Sequence, residues 1–263
     1  MTQPKRSQVY ERTKVESAVE RVRRGESARV VGRDLGLDHS TISRWVRNSN
    51  SGGRIGSPQK RFPVDADHPR QCHGSCLETP QRRPERYSYL LGLYLGDGDI
   101  TLVNKTLRLR ISQDRRYPQL ADLCAQAMSE VLPSNRPGIS FRGGTCIISV
   151  YSTHLACIFP QHGKGRKHTR PIELEHWQRE IVERHPWGLI AGLLHSDGCR
   201  DLNVVNGKEY PRWSFSNRSE DIRSIFFDTA TSVGLRPTRS KWVVHISKRI
   251  DVHAVDAHVS TKA

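Results

Sequence analysis

An apolar stretch ending in Asp-Gly occurs twice in this chain, as YSYLLGLYLGDGDI at 87–100 and as WGLIAGLLHSDGCR at 187–200, so that Asp97 and Asp197 stand 100 positions apart. The same order of elements follows each copy. An extended pair comes first, ITLV with LRLRISQ in one copy and DLNVV with PRWSFSN in the other. A helix follows, PQLADLCAQAMSEVL or SEDIRSIFFDTATSVGL, and a second extended pair closes on TCIISVYS or KWVVHISK, whose alternating residues suit a half-buried sheet. Two hydrophobic helices alike by chance would not align their flanking strands too. The repeat therefore predicts an α+β fold of two pseudo-symmetric αββαββ units, with halves at about 86–160 and 171–263.

Within the repeat, Gly92 and Gly96 in one helix and Gly192 and Ser196 in the other are small residues four apart, which lets two helices touch backbone to backbone. Leu90, Leu93, Leu193 and Leu194 can then pack below. A pseudo-two-fold axis would carry Asp97 and Asp197 to one place at the helix C-termini, with Gly98 and Gly198 releasing the chain. Two carboxylates there repel each other and face an unfavourable dipole, so the arrangement is costly without a cation between them. Mg²⁺ suits the position, because it takes oxygen ligands and is bound through one or two carboxylates plus substrate phosphates.

The segments LLGLYLGDG (90–98) and IAGLLHSDG (190–198) resemble the paired LAGLIDADG motifs of homing endonucleases. The resemblance runs from 86 to about 255 and includes the stretch FPQHGKGRKHTRPIELEHWQREIVERHP before the second motif. It implies a saddle-shaped DNA-binding sheet and a monomer that makes one cut per strand of double-stranded DNA, with no small-molecule substrate. It further implies catalytic and metal-binding roles for Asp97 and Asp197, with Gly96 and Ser196 beside them at the metal. Polar residues that support the attacking water match Gln113 and Asn217, and a charge-stabilising basic residue after the fourth strand matches Lys248. At the corresponding place in the first half stands Ser152, with no lysine. That departure leaves open a nicking enzyme, unequal cleavage of the strands, or loss of activity; Lys105 and Arg115 are the candidates to substitute.

Ahead of the repeat, residues 1–50 read as a small all-α unit. Val15, Ala18, Val19 and Val22 share a face of a first helix closed by Gly25. In ARVVGRDLGLDHSTISRWVR (28–47), Val31, Leu35, Leu37, Ile42 and Trp45 would face inward, with Gly32 at a close helix approach and Gly36 in a tight turn, which is helix-turn-helix spacing. Asp38 can cap the last helix, whose residues His39, Ser40, Thr41, Ser43, Arg44 and Arg47 suit base edges and phosphates in a major groove. Residues 51–85, rich in Gly, Pro, Ser and charge, read as a flexible linker.

Charge points to the partner. Lys and Arg number 42 against 27 Asp and Glu, a formal charge of +15, and so large an excess most often meets a polyanion. Arg108, Arg110 and Arg142 in the first half and Arg212, Lys241 and Arg249 in the second are the candidates for phosphate or guanine contacts from the strands. Trp213 and Trp242 are read as core. No apolar run approaches the ~20 residues of a membrane span and none resembles a signal peptide, so a cytoplasmic, nucleoid-associated protein is expected. Six scattered cysteines imply no disulfide framework; Cys72 and Cys76, near His68 and His73, lack a second pair at zinc-ribbon spacing and are read as linker.

The leading reading is a site-specific, Mg²⁺-dependent DNA endonuclease carrying an added helix-turn-helix. A non-cleaving transcriptional regulator on the same scaffold is the alternative: both aspartates favour the enzyme, while the missing first-half lysine and the N-terminal module favour the regulator. An RNA maturase shares the fold but has no specific support in the residues.

Overall fold

The computed structural model describes residues 12–50, 77–104 and 106–261, in two compact units divided between residues 65 and 66. The Cys72 and Cys76 cluster, most of the linker segment and Lys105 lie outside the described residues.

The smaller unit holds α1 (Arg12–Arg23), α2 (Ala28–Leu35) and α3 (His39–Asn50). Ala18, Val31 and Ile42, one from each helix, are fully buried, and Val22, Leu35, Leu37 and Trp45 close around them. Local chemistry sets the helix ends. The Ser27 hydroxyl accepts from the Val30 amide at 3.3 Å, and the Asp38 carboxylate accepts from the Ser40 amide at 2.8 Å, each satisfying a donor that a helix N-terminus leaves open. Gly36 turns the chain at φ +65°, and a Cβ on Gly32 would come within 2.7 Å of the Leu37 carbonyl oxygen. Arg21 ties α1 to α2 through Glu26 and Asp34, at 2.5 and 2.6 Å.

The larger unit repeats one pattern. Its first half runs α5 (Pro84–Leu95), β1 (Gly98–Val103), β2 (Thr106–Asp114), α6 (Pro118–Val131), β3 (Gly138–Arg142), β4 (Thr145–Ser152) and α7 (Leu155–Ile158), preceded by α4 (Glu78–Arg82). After a connector and α8 (His176–Arg184), the second half runs α9 (Pro186–Asp197), β5 (Gly198–Val205), β6 (Lys208–Ser216), α10 (Glu220–Ser232), β7 (Thr238–Arg239), β8 (Val243–Ile246) and α11 (Arg249–His258). Each half is an αββαββ unit with one antiparallel four-stranded sheet, ordered β1-β2-β4-β3 and β5-β6-β8-β7. Register makes the halves equivalent residue by residue: Gly98 faces Ile111, which faces Ile148, while Gly198 faces Phe215, which faces Val244.

Alternation in the strands decides which face is covered. Leu109, Ile111, Cys146, Ile148 and Val150 in the first sheet, and Trp213, Phe215, Val244 and Ile246 in the second, are buried against the helices, and the residues between them face away. The helices α5 and α9 form the seam between the halves. Leu90, Leu93, Leu193 and Leu194 are completely buried there, each contributing roughly 1.5–3 kcal/mol relative to exposure.

Some elements differ from the sequence reading. Residues 78–82, placed in the linker by composition, form α4, which buries Pro80 against α5 and α6; five residues are too few to carry a helical period. Trp213 is core, but Trp242 is half exposed just before β8, with Arg223 and Lys241 over its ring at 5.3 and 5.5 Å. Helix α11, unmarked in the sequence reading, is clamped to the sheet by one carboxylate: Asp256 accepts from Arg200 Nε and Nη2 on β5 and from Trp213 Nε1 on β6, all at 2.8 Å.

The Arg200 hydrogen bond, opposed by burial and reinforced by the Trp213 N–H, holds the Asp256 carboxyl below the usual carboxylate range. Its contribution is therefore complete at neutral pH and is lost as pH falls through the lowered folded value. Asp256→Ala is expected to cost about 2 kcal/mol at pH 7, because the buried indole N–H and the guanidinium lose a shared acceptor. Urea denaturation at pH 7 and at pH 3 measures it: the gap between variant and wild type should shrink at the lower pH, and an equal gap at both would exclude the carboxylate as its source.

Candidate functional site

The site begins with two helices that cannot be held apart. A Cβ on Gly92 would lie 2.6 Å from the Leu189 carbonyl oxygen and 2.9 Å from Gly192 Cα, so α5 and α9 meet backbone to backbone. At their C-terminal ends the contact continues: a Cβ on Gly96 would sit 2.6 Å from Ser196 Oγ and 3.3 Å from Asp197 Oδ2. Ser196 turns its hydroxyl back to the Gly192 carbonyl at 2.8 Å. Gly98 lets β1 leave α5 sharply, since a Cβ there would come 2.6 Å from Tyr94 Cα. Close packing of small residues thus delivers the end of one motif onto the other.

Beside these ends opens a cavity of about 500 Å³, lined by Gly96, Gly98, Lys167, Arg170, Asp197 and Asn217 among others. Asp197 Oδ2 accepts from Asn217 Nδ2 at 2.7 Å. Asn217 is itself fixed: its Oδ1 accepts from the Ser219 amide at 2.8 Å, its amide donates to the Trp242 carbonyl at 3.2 Å, and Arg223 donates to its own carbonyl. Gln113 occupies the equivalent position in β2, two residues beyond Ile111 as Asn217 is beyond Phe215. It is 5% exposed, and its Nε2 has no hydrogen-bond partner.

A buried cation of the site comes from neither sheet. Lys167 opens a 3₁₀ turn (Lys167–Thr169) in the connector between the halves. Its Nζ donates to three backbone carbonyls at the end of α5: Tyr94, Gly96 at 2.7 Å and Gly98 at 2.9 Å. It also lies 5.1 Å from the Tyr94 ring centroid. Burial pulls its pKa down to about 8; Asp197, Asp97 and Asp99 work against that shift, and Arg170 works with it. Both motif aspartates thus act on one ammonium, at a helix end whose carbonyls already attract positive charge. Sequence reasoning missed Lys167; the available signal was the basic, glycine-punctuated run HGKGRKHTR at 162–170.

Lys248 is placed elsewhere. It is equivalent in register to Ser152, four residues past Val244 as Ser152 is four past Ile148. Both positions fall at the end of the closing strand remote from Asn217, which bonds Trp242 at the other end. Lys248 is exposed, precedes α11 and acts on Asp251; Ser152 is buried and accepts from the His154 amide. Arg115 stacks over Phe141 at 5.0 Å. A carboxylate pair and a carbonyl form an all-oxygen donor set, which fits a hard divalent cation completed by waters or phosphate oxygens. Among the described residues no group of three or more His, Cys, Asp or Glu could hold a metal ion.

The outward faces of the sheets carry paired charge. Arg110 Nε donates to Asp99 at 2.8 Å across β1 and β2, and Arg212 Nη2 donates to Asp201 at 2.9 Å across β5 and β6. Arg108 lies on the same face as Arg110, its Nε buried without a hydrogen-bond partner. Arg142 and Lys241 are exposed, whereas Arg249 begins α11 and is on no strand. In α3, Ser40 is exposed and Thr41 and Ser43 are half-buried; the side chains of Arg44 and Arg47 lie outside the described residues. No helix among the described residues is long and apolar enough to cross a membrane.

Neither a family model nor a curated protein matches the chain. Among solved structures it is similar to the homing endonuclease I-DmoI in complex with DNA and Mn, at 18% identity over 68% of this chain and 98% of that one, with a TM-score of 0.48. It is also similar to full-length DUF199/WhiA from Thermatoga maritima, at 13% identity over 68% of this chain and 56% of that one, TM-score 0.45. A third is the LAGLIDADG meganuclease I-AabMI bound to uncleaved DNA, at 13% identity over 65% of this chain and 82% of that one, TM-score 0.40.

Proposed function

We propose that the chain binds double-stranded DNA along the outward faces of its two sheets and hydrolyses phosphodiester bonds with Mg²⁺ held between Asp97 and Asp197. The observation that carries the reading is the convergence of the two motif ends, where a Cβ on Gly96 would collide with Ser196 and come within 3.3 Å of Asp197 Oδ2, and both aspartates act on one ammonium. Asp97 and Asp197, with Gly96 and Ser196 beside them, would hold the ion. Bound there, Mg²⁺ supplies the charge that activates a water and stabilises the departing oxygen. Asn217 orients the Asp197 carboxylate, and Gln113, with an uncommitted amide, has a donor to offer on the first half. Arg110 and Arg212 would exchange their aspartate partners for phosphates, which makes binding steeply salt-dependent.

The halves are unequal, because Asn217 engages Asp197 while the buried Nε2 of Gln113 has no hydrogen-bond partner, and the connector lysine donates to carbonyls of the first motif. One strand is therefore expected to be cut faster. Incubating supercoiled DNA from the chain's own genomic neighbourhood with Mg²⁺ or with EDTA tests the proposal. Metal-dependent nicked circles that precede linear product support it, and specific binding with no cut in any divalent metal overturns it in favour of the second reading, a non-cleaving DNA-binding regulator. That reading draws its support from Lys167, whose ammonium engages the Gly96 carbonyl beside Asp97.

The three-helix unit serves in both readings as a helix-turn-helix, with Ser40, Thr41 and Ser43 on the helix that enters the major groove. Tethering it to the sheets raises the effective concentration at the target. Removing residues 1–50 is expected to weaken target binding on the order of 10²-fold in a gel-shift titration, while the circular dichroism and melting of the remainder persist. Unchanged affinity would assign the three helices another task.

A further inference from the structure

We propose that Lys167 is a tethered counter-cation that competes with the divalent metal for the first motif, so that the connector must shift before the metal site is complete. This rests on the metal-site reading above and concerns what controls its occupancy. Nζ of Lys167 meets the carbonyl oxygens of Tyr94, Gly96 and Gly98 together. One of these, Gly96, is the backbone donor adjoining Asp97, and its contact with Nζ is 2.7 Å long. Mg²⁺ requires its oxygens at about 2.0–2.1 Å, and an ammonium and a divalent ion sharing one carbonyl oxygen repel each other strongly at that range. Lysine stabilises the carboxylate pair as an ion would, and by the same interaction opposes the ion.

The connector can give way. Gly163 and Gly165 precede Lys167, Gly165 at φ +84°, and the turn is closed locally by the Thr169 amide and hydroxyl on the Arg166 carbonyl. Lys164, Arg166 and His168 around it are exposed. A phosphate backbone arriving at these side chains offers Lys167 an alternative partner, so that DNA binding and metal binding assist each other.

Mn²⁺ titration of the full chain by calorimetry, without DNA, tests the inference independently of cleavage. Lys167→Met is expected to bind Mn²⁺ about tenfold more tightly or better than wild type, and Lys167→Arg, which keeps the charge, to bind as wild type does. Lys167→Gln retains a donor for the carbonyls without the charge, so it covers the case in which the methionine variant fails to fold, and it too should bind more tightly. Unchanged or weaker Mn²⁺ binding by the folded uncharged variant overturns the competition. Asp197→Asn separates the two claims: if it leaves Mn²⁺ binding intact in the wild-type and Lys167→Gln backgrounds alike, the metal-site reading fails, whatever the lysine does.

Discussion

Gly192→Val is expected to lower the melting temperature of the larger unit by about 6–12 °C, corresponding to a loss of about 3 kcal/mol or more. Helix propensity alone gives the opposite sign, since valine is better than glycine in a helix by a few tenths of a kcal/mol. Packing decides the outcome. A Cβ at position 192 would come 2.9 Å from Gly92 Cα and 2.9 Å from the Leu93 amide nitrogen, and closer still to the Tyr89 carbonyl. These are backbone atoms of α5, and no rotamer change can move them. The helices must separate, which opens space around Leu90, Leu93, Leu193 and Leu194 and forfeits part of their transfer energy. Gly144→Ala is the control: nothing lies within 4 Å of its Cβ position, and a change within about 0.5 kcal/mol is expected there. Thermal denaturation followed by circular dichroism compares the two, and equal melting temperatures would mean that α5 and α9 are not in backbone contact.

The same glycines explain why the fold was legible in the sequence. Small residues four apart, repeated in two helices that each run into a strand at Asp-Gly, leave few ways to pack, and the alternation in TCIISVYS and KWVVHISK assigns the buried face. Register then carries Gln113 onto Asn217 and Ser152 onto Lys248, since every equivalence follows from counting along paired strands. What counting cannot supply is which end of a strand meets the helix termini. Lys248 was assigned to the site by its order in the chain, yet a strand that ends in sequence order near a motif can begin in space beside it, as β8 begins beside Asn217. Lys167 was illegible for a different reason: HGKGRKHTR has no hydrophobic period to fix a face, and only the three-dimensional path of the connector turns one of its basic residues inward. The pairing of Arg110 with Asp99 and of Arg212 with Asp201 was equally hidden, although both are directly opposite in the β1–β2 and β5–β6 registers.

Asp97→Asn and Asp197→Asn are each expected to reduce metal-dependent cleavage on the order of 10³-fold, the several kcal/mol that a correctly held ion supplies to phosphodiester hydrolysis. DNA affinity should hold or rise slightly in both, because removing a carboxylate beside a phosphate removes repulsion and adds one unit to a formal charge of +15. The two variants need not be equal in their residual products. Asp197 is held by Asn217 at 2.7 Å, and an asparagine there keeps the shape of that contact while losing its charge. Asp97 neighbours the carbonyls engaged by Lys167, so Asp97→Asn leaves the lysine as the main charge on that side. If each half serves one strand, the variants should leave opposite strands nicked, which denaturing gels of end-labelled duplex resolve. Residual nicking of the same strand by both would mean that the aspartates share one centre, and loss of DNA binding by both would make them structural caps of α5 and α9.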